Sequence, residues 1–203
     1  MKNLINQSLK WTLLLIAPFA MASVSPGDKA PDFDLKGHDG KSYKLSQVLD
    51  GKTTVVLEWF NNECPYVEKH YGTGNMQKLQ TTYTGKGVKW FSVISSAEGK
   101  QGYRDAASAT ATRNERKQTS TAVLLDPSGE VGKAYGAKTT PHMYVINKEG
   151  SVVYAGAIDD NPSFQKDTVA GAKNYVVAAL DATLAGKEVE ENSTKAYGCS
   201  VKY

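Results

Sequence analysis

Apolar runs of strand length alternate with stretches of helical period along most of this chain. Residues 55–60 form an almost unbroken apolar run, which is typical of a strand buried on both faces of a sheet. Similar runs predict strands at Val88 to Ile94 and at Ala122 to Leu125. The predicted helices that follow these three strands cover residues 65–82, 101–117 and 130–135. The order is therefore strand, helix, strand, helix, strand, helix.

A hairpin and one more helix complete the pattern. Residues 143–146 and 152–155 have the apolar character of two antiparallel strands joined by a turn, and an amphipathic helix is predicted from Val169 to Leu184. Near the start, the Asp39-Gly40 step predicts another hairpin between short strands. Alternating units with a closing hairpin and helix predict an α/β fold, a three-layer sandwich.

The first 22 residues have the pattern of a secretory signal peptide. Two early lysines precede an uncharged run that ends in small residues at Ala22. We expect cleavage after Ala22, a periplasmic or secreted protein, and no stable membrane insertion afterwards, because the apolar run is shorter than the ~20 residues of a spanning helix. An uncleaved anchor is the alternative. The mature chain would comprise one domain, residues 23–186, and a polar C-terminal tail, residues 187–203.

Charge argues against a nucleic-acid partner. The formal net charge is only +3, and two of the lysines belong to the predicted signal peptide. The densest basic cluster, residues 113–117, lies where an alanine-rich helix is predicted to end, and cations suit the dipole there. We interpret this cluster as a solvated face, because nucleic-acid binding would need a basic stripe.

The two cysteines, Cys64 and Cys199, allow a single intramolecular disulfide, and an exported protein meets oxidising conditions that favour it. Cys64 precedes Pro65, a favoured first residue of a helix, so Cys64 is placed at a helix N-terminus. Cys199 lies in the tail, which could extend about 40 Å beyond the last predicted helix. A domain of this size has a radius of gyration of about 16 Å, so the tail can reach Cys64.

Five short motifs occur in a set order along almost all of the mature chain. They are Gly27-Asp28-Lys29-Ala30-Pro31-Asp32-Phe33, Asn61-Asn62-Glu63-Cys64-Pro65-Tyr66-Val67, Ala134-Tyr135-Gly136 followed by Thr140-Pro141, Gly156-Ala157-Ile158-Asp159-Asp160, and Gly198-Cys199-Ser200-Val201-Lys202-Tyr203. In these motifs the chain resembles the redoxins, specifically the peroxiredoxin-like branch of the thioredoxin superfamily that is related to alkyl hydroperoxide reductases and thiol-specific antioxidant proteins. The resemblance implies a thioredoxin-like fold with a mixed central sheet. It also implies that Cys64 begins the first long helix and that Thr140-Pro141 forms a cis-proline turn beside it.

Departures from the family pattern narrow the expected activity. Thioredoxin-type enzymes use Cys-x-x-Cys, but Asn61 occupies the first of these positions, so a local disulfide at Cys64 is not possible. Peroxiredoxins support their cysteine with a proline seven residues earlier and a threonine or serine three residues earlier, which are Leu57 and Asn61 here. Their peroxide-orienting arginine aligns with Pro141. High peroxidase activity is therefore not expected.

The chemistry of a thiol at a helix N-terminus makes Cys64 the candidate nucleophile, because the helix dipole favours the thiolate. Glu63 and Glu68 flank it, and their charge is expected to oppose thiolate formation. Cys199 is the candidate resolving cysteine. An inert structural disulfide is the alternative, since closing a loop of this length would stabilise the fold by about 4–5 kcal/mol.

Three polar residues near Cys64 have two interpretations each. Asn61 either donates a hydrogen bond to the sulfur or caps the helix. Glu58, the one charged residue of its strand, either relays protons or reaches water at the strand end. His142 is either an acid/base neighbour of Cys64 or a packed residue. Cys64, His142 and Met143 would suit copper, but no second nearby cysteine or histidine supports a metal site, so no metal or cofactor is expected.

The sequence thus predicts an exported thiol-based redox protein, either a thiol-disulfide oxidoreductase or a weak thiol peroxidase, that uses Cys64 with Cys199. Its partners would be a thiol, disulfide or hydroperoxide substrate and an external thiol reductant. The alternative is a non-catalytic thioredoxin-fold binding or scaffold module with a structural Cys64–Cys199 disulfide.

Overall fold

The computed structural model describes residues 23–203, and the predicted signal peptide with its cleavage after Ala22 lies outside the described residues. The strands are β1 Asp34–Gly37, β2 Ser42–Lys44, β3 Val55–Trp59, β4 Lys89–Ile94, β5 Ala122–Leu125, β6 Thr139–Thr140, β7 His142–Ile146, β8 Val152–Gly156 and β9 Cys199–Ser200. The α-helices are α1 Leu45–Val48, α2 Pro65–Gly72, α3 Asn75–Gly85, α4 Ala106–Glu115, α5 Glu130–Tyr135 and α6 Tyr175–Leu184. None of the helices in this part of the chain is long and apolar enough to span a membrane.

Seven strands form one mixed sheet in the order β2-β1-β5-β4-β3-β7-β8. Strand β3 pairs in parallel with β4, and β4 with β5, whereas β7 and β8 are antiparallel additions. Side chains of β3 alternate between two buried clusters, with Val56 on one face of the sheet and Leu57 on the other. Both faces are therefore covered, which confirms the predicted α/β sandwich and the buried character of its central strands.

The helix predicted over residues 65–82 is wrong, because the structure has two helices there. Helix α2 ends at Gly72 and α3 begins at Asn75. Between them Gly74 adopts φ +75°, a left-handed conformation that breaks a helix and that glycine adopts without steric cost. Both helices have apolar residues at a similar helical period, so the hydrophobic pattern alone does not show where α2 ends and α3 begins.

Two other predicted helices begin later than the sequence suggests. Helix α4 starts at Ala106 rather than near residue 101, because Asp105 and Ser108 form a reciprocal capping box. Helix α6 starts at Tyr175 rather than Val169, because Asn174 caps it by accepting a hydrogen bond from the Val177 backbone N–H. A short 3₁₀ helix, Lys166–Val169, precedes α6 and shares only Val169 with the predicted range.

The tail folds back across the domain instead of leaving it. Thr194 hydrogen-bonds the Ala157 backbone, and β9 pairs antiparallel with β6. The Tyr203 ring lies over Gly129 and Gly132 of the α5 region, where an added Cβ would overlap it. The Tyr203 hydroxyl donates to the Ala137 carbonyl at 2.7 Å. The tail thus covers the end of the sheet at which β3 leads into α2.

Candidate functional site

Cys64 is the N-cap residue of α2, with Pro65 at the first helical position as the sequence predicted. The chain leaves the buried strand β3 and enters the helix within a few residues, so the cysteine lies at the carboxyl end of β3. Its side chain is fully buried, and its thiol donates to the Thr140 carbonyl with the sulfur 3.0 Å from that oxygen. The Thr140–Pro141 peptide is cis, in agreement with the expectation from the family resemblance.

The structure brings Cys199 to Cys64, with the two sulfurs 2.6 Å apart and both residues present as thiols. Cys199 lies opposite Thr140 in the β6–β9 pairing. This close approach requires glycine at position 198, because a Cβ there would overlap the Thr140 carbonyl and its φ is +141°. The two cysteines meet although they are 135 residues apart.

The environment of Cys199 keeps its thiol protonated. Burial raises the pKa of Cys199 to about 12, with a further contribution from the hydrogen bond and charge of Cys64, while Lys202 acts weakly in the other direction. A thiol with so high a pKa carries little thiolate at neutral pH and is a poor initial nucleophile. Cys199 is therefore poorly suited to be the sulfur that attacks a substrate first.

The acidic residues beside Cys64, which were expected to oppose thiolate formation, are both paired with cations. Arg104 contacts Glu63 at 3.2 Å. Glu68 binds both Arg116 and Lys166, and the pKa of Glu68 is lowered, first by its hydrogen bond with Lys166. The negative charge near the helix N-terminus is therefore largely balanced by these basic side chains.

Asn61 has neither of the roles considered for it. Its side-chain oxygen accepts from the Glu63 backbone N–H at 2.9 Å, and its amide nitrogen lies 3.4 Å from the Gln101 carbonyl, to which it donates. Because the N-cap position of α2 belongs to Cys64, Asn61 shapes the turn before the helix rather than the helix end. Its side-chain hydrogen bonds are not directed at the sulfur.

Glu58 is fully buried in the core, so the interpretation of a strand-end carboxylate reaching water is wrong. Its carboxyl accepts hydrogen bonds from four side chains: Tyr71 and Trp90 at 2.8 Å, Gln80 at 3.1 Å and Ser92 at 3.2 Å. Burial raises the pKa of Glu58, and these donors partly offset that effect. The carboxyl is part of a polar network inside the core and does not contact either cysteine.

His142 follows the cis-proline and lies buried on the opposite face of the sheet from Glu58. Its ring packs against Tyr144 with centroids 4.6 Å apart, and its Nδ1 accepts from the Lys138 backbone at 3.3 Å. Burial lowers the pKa of His142 to about 4, so the ring is neutral at physiological pH. These contacts describe a packed residue near the site rather than a partner of the Cys64 sulfur.

Sequence reasoning did not identify a second cluster of buried polar residues beside the cysteines. Lys69, His70 and Asp159 are all buried, and the Tyr197 hydroxyl lies among them. The available signals were the placement of Tyr197 two residues before Cys199 and a lysine-histidine pair within a helix. Within residues 23–203, no group of three or more histidine, cysteine or acidic side chains could hold a metal ion.

A cavity of about 480 Å³ adjoins the cysteine-bearing strand pair. Its walls come from Thr139, the loop around Asp160 and Pro162, Tyr175, and tail residues 194–198. The exposed Phe164 ring lies outside it, edge-on to Tyr66 with centroids 6.1 Å apart. Space for a substrate group is therefore available beside the tail, although not directly at the Cys64 sulfur.

Comparisons with known proteins agree with this architecture. The family model described as Redoxin matches residues 25–176. A hypothetical protein from Sinorhizobium meliloti superposes with a TM-score of 0.76 at 26% identity, covering 90% of this chain and 96% of that one. An uncharacterized conserved protein from Geobacillus kaustophilus gives 0.74 at 28% identity, covering 88% and 92%.

A more distant match supports the fold alone. The thioredoxin domain of a thiol-disulfide oxidoreductase from Bacteroides vulgatus superposes with a TM-score of 0.52 at 20% identity, covering 72% of this chain and 96% of that domain. The fold is thus thioredoxin-like. A search of curated proteins found no match to the chain.

Proposed function

This chain belongs to the redoxin family, and from that premise we propose that it is an exported thiol-disulfide oxidoreductase, with weak thiol peroxidase activity as a second reaction of the same site. The observation that carries the proposal is the 2.6 Å separation of the Cys64 and Cys199 sulfurs. Two thiols at this distance can pass to a disulfide with little movement of the chain. The Cys64 environment, with paired acids and a helix N-terminus, supports the attacking role.

The reaction with a disulfide substrate has two exchange steps. The Cys64 thiolate attacks one substrate sulfur, a mixed disulfide forms, and the other substrate sulfur leaves as a thiolate. Cys199 then attacks the Cys64 sulfur, its proton passes to the departing thiolate, and the Cys64–Cys199 disulfide forms. One substrate disulfide has been reduced to two thiols at the expense of the two cysteines, and an external thiol reductant restores them.

With a hydroperoxide, the same residues give a different first step. The Cys64 thiolate attacks the distal oxygen and the O–O bond breaks, which leaves a sulfenic acid on Cys64 and an alkoxide that takes a proton from water to depart as the alcohol. Attack by Cys199 then forms the same disulfide and releases water. In both reactions the tail must move first, because Cys64 is fully buried in the closed structure.

The reduction potential of the cysteine pair tests this function. The chain lacking residues 1–22 would be equilibrated in thiol redox buffers, alkylated and weighed, with Cys199→Ser as the variant that cannot close the bond. A potential above about −300 mV supports a cycling centre, whereas one well below it supports a structural bond. Export would be checked by the mass of the protein recovered outside the cytoplasm, which should begin at residue 23.

A non-catalytic module with a structural disulfide is the second candidate. Complete burial of Cys64 and the close packing of the tail favour it, because a stabilising crosslink needs no access for a substrate. This candidate predicts that the oxidised protein resists reduction by glutathione and that neither disulfide substrates nor hydroperoxides are turned over.

A further inference from the structure

We propose that Lys69, His70 and Asp159 form a positioning site for Tyr197, and that this site holds Cys199 against Cys64. The inference rests on the proposed function of the cysteine pair and assigns a role to residues that do not touch the reacting sulfurs. Tyr197 is the positioning residue, since it lies two residues before Cys199 in the tail.

The Tyr197 hydroxyl is surrounded by hydrogen-bonding groups on several sides. It donates a hydrogen bond to Asp159 Oδ1. The Lys69 Nζ atom lies 3.5 Å from the hydroxyl oxygen and 3.5 Å from Asp159 Oδ2. Lys69 also donates to the Asn161 carbonyl at 2.7 Å, which helps to satisfy its buried charge.

The protonation state of His70 determines its hydrogen bond with the Tyr197 hydroxyl. Its Nδ1 lies 3.0 Å from the Asn75 side-chain nitrogen, which has only hydrogens to offer, so Nδ1 must accept. Burial lowers the pKa of His70 to about 4, which leaves the neutral ring with its proton on Nε2. Nε2 lies 3.3 Å from the Tyr197 hydroxyl and donates to it. The hydroxyl therefore accepts from His70 and donates to Asp159.

Helix α2 connects this anchor with the reacting cysteine. The helix begins beside Cys64 at its N-cap and carries Lys69 and His70 in its later turns. On the same helix, the Tyr66 ring packs against the Tyr197 ring with centroids 5.8 Å apart. One rigid element thus sets the position of Cys64 and of Lys69 and His70, two of the three groups around the Tyr197 hydroxyl.

Backbone pairing is a weak restraint on this part of the tail. The β6–β9 pairing comprises two residue pairs, Thr139 with Ser200 and Thr140 with Cys199. Gly198 lies between Tyr197 and Cys199 and provides little stiffness of its own. A buried ion pair is in general weak evidence for a stabilising role, so a gain in stability alone does not account for burying Lys69 with Asp159. A positioning role does account for it.

The test compares Tyr197→Phe with Tyr83→Phe. Tyr83 also donates to an aspartate, Asp181 at 3.0 Å, and this pair joins helix α3 to α6 without involving the tail, so its variant controls for the loss of a tyrosine–aspartate hydrogen bond. In glutathione buffers, Tyr197→Phe should lower the equilibrium constant for forming the Cys64–Cys199 disulfide by up to about tenfold, because the disulfide holds the tail closed without this hydrogen bond to a charged group, whereas the reduced protein relieves the loss by opening the tail. The potential would become less negative by up to about 30 mV. Tyr83→Phe should leave it unchanged.

A second readout does not need the disulfide. In a Cys199→Ser background, Tyr197→Phe should raise the rate at which iodoacetamide alkylates Cys64 several-fold, since the tail opens more often, and Tyr83→Phe should not. Equal potentials and equal alkylation rates for the two variants would overturn the positioning role. If the wild-type protein forms no disulfide, the proposed function fails, and the alkylation rates alone decide the role of Tyr197. Thermal unfolding midpoints would show that both variants are folded.

Discussion

Replacing Gly198 by alanine should separate the two cysteines without touching either of them. An added Cβ at this position would overlap the Thr140 carbonyl, which is backbone and cannot rotate away. The residue also has φ +141°, a conformation that side chains disfavour by about 1–3 kcal/mol. The tail must therefore either keep this strain or move away from β6 and lose the Cys64–Cys199 approach.

The expected size of the effect follows from that strain. If about 2 kcal/mol is lost from the closed tail, the equilibrium constant for disulfide formation falls by up to about 30-fold, since 1.4 kcal/mol corresponds to a factor of ten and only the reduced protein can relieve the strain by opening the tail. The assay is equilibration of the folded protein in glutathione buffers, followed by alkylation and mass measurement. Circular dichroism would establish that the sheet and helices are retained.

Gly171→Ala is the matched control. Gly171 also has positive φ, +87°, but a Cβ there would meet nothing within 4 Å. Its variant should carry a comparable backbone strain and leave the disulfide equilibrium unchanged. If Gly198→Ala forms the disulfide as readily as the wild-type protein, the tail does not depend on this close approach, and the reasoning is refuted.

Three further outcomes follow from the site. Cys199→Ser should let a mixed disulfide with glutathione accumulate on Cys64, detectable by intact mass; rapid loss of the adduct would argue against a resolving role. Arg104→Gln should leave Glu63 unpaired and slow alkylation of Cys64 about two- to threefold in the Cys199→Ser background, and an unchanged rate would show that this charge does not reach the sulfur. The raised pKa of Glu58 means that the folded state holds its proton where the unfolded state has lost it, so the free energy of unfolding should fall as pH rises above about 4.5. Glu58→Gln should flatten that part of the profile in urea unfolding series, and an equally steep profile would contradict the assignment.

The sheet could be predicted from the sequence because its strands are short apolar runs bounded by turn residues. The run at 55–60 is buried throughout β3, and the Asp39-Gly40 hairpin joins β1 to β2 in antiparallel register. The placement of Cys64 before a proline-initiated helix was also predictable, since it depends on neighbouring residues alone. Local signals of this kind need no knowledge of the tertiary structure.

The remaining features depend on contacts between distant residues. Glu63 is paired with Arg104 across 41 positions, and Lys69 contacts Asn161 across 92. Neither pairing leaves a spacing pattern in the chain. Asn61 shows that a local signal can also mislead. Asparagine is a favoured capping residue, but Asn61 lies three positions before the actual N-cap, and only the geometry of the turn shows that it shapes the turn instead of capping the helix.

The packing of the Tyr203 ring against helix α5 restricts which residues homologous sequences can have at two positions. Gly129 and Gly132 leave room for the ring, and any side chain at either position would occupy the same space. Chains that retain the tail should therefore retain these two small positions together with an aromatic residue at the end of the tail. In a homologue without the tail, position 132 would be limited only by the Ser95 hydroxyl, whereas position 129 would still favour glycine because its φ is +68°. An alignment would then separate tailed from tailless lineages at helix α5, far along the chain from either cysteine.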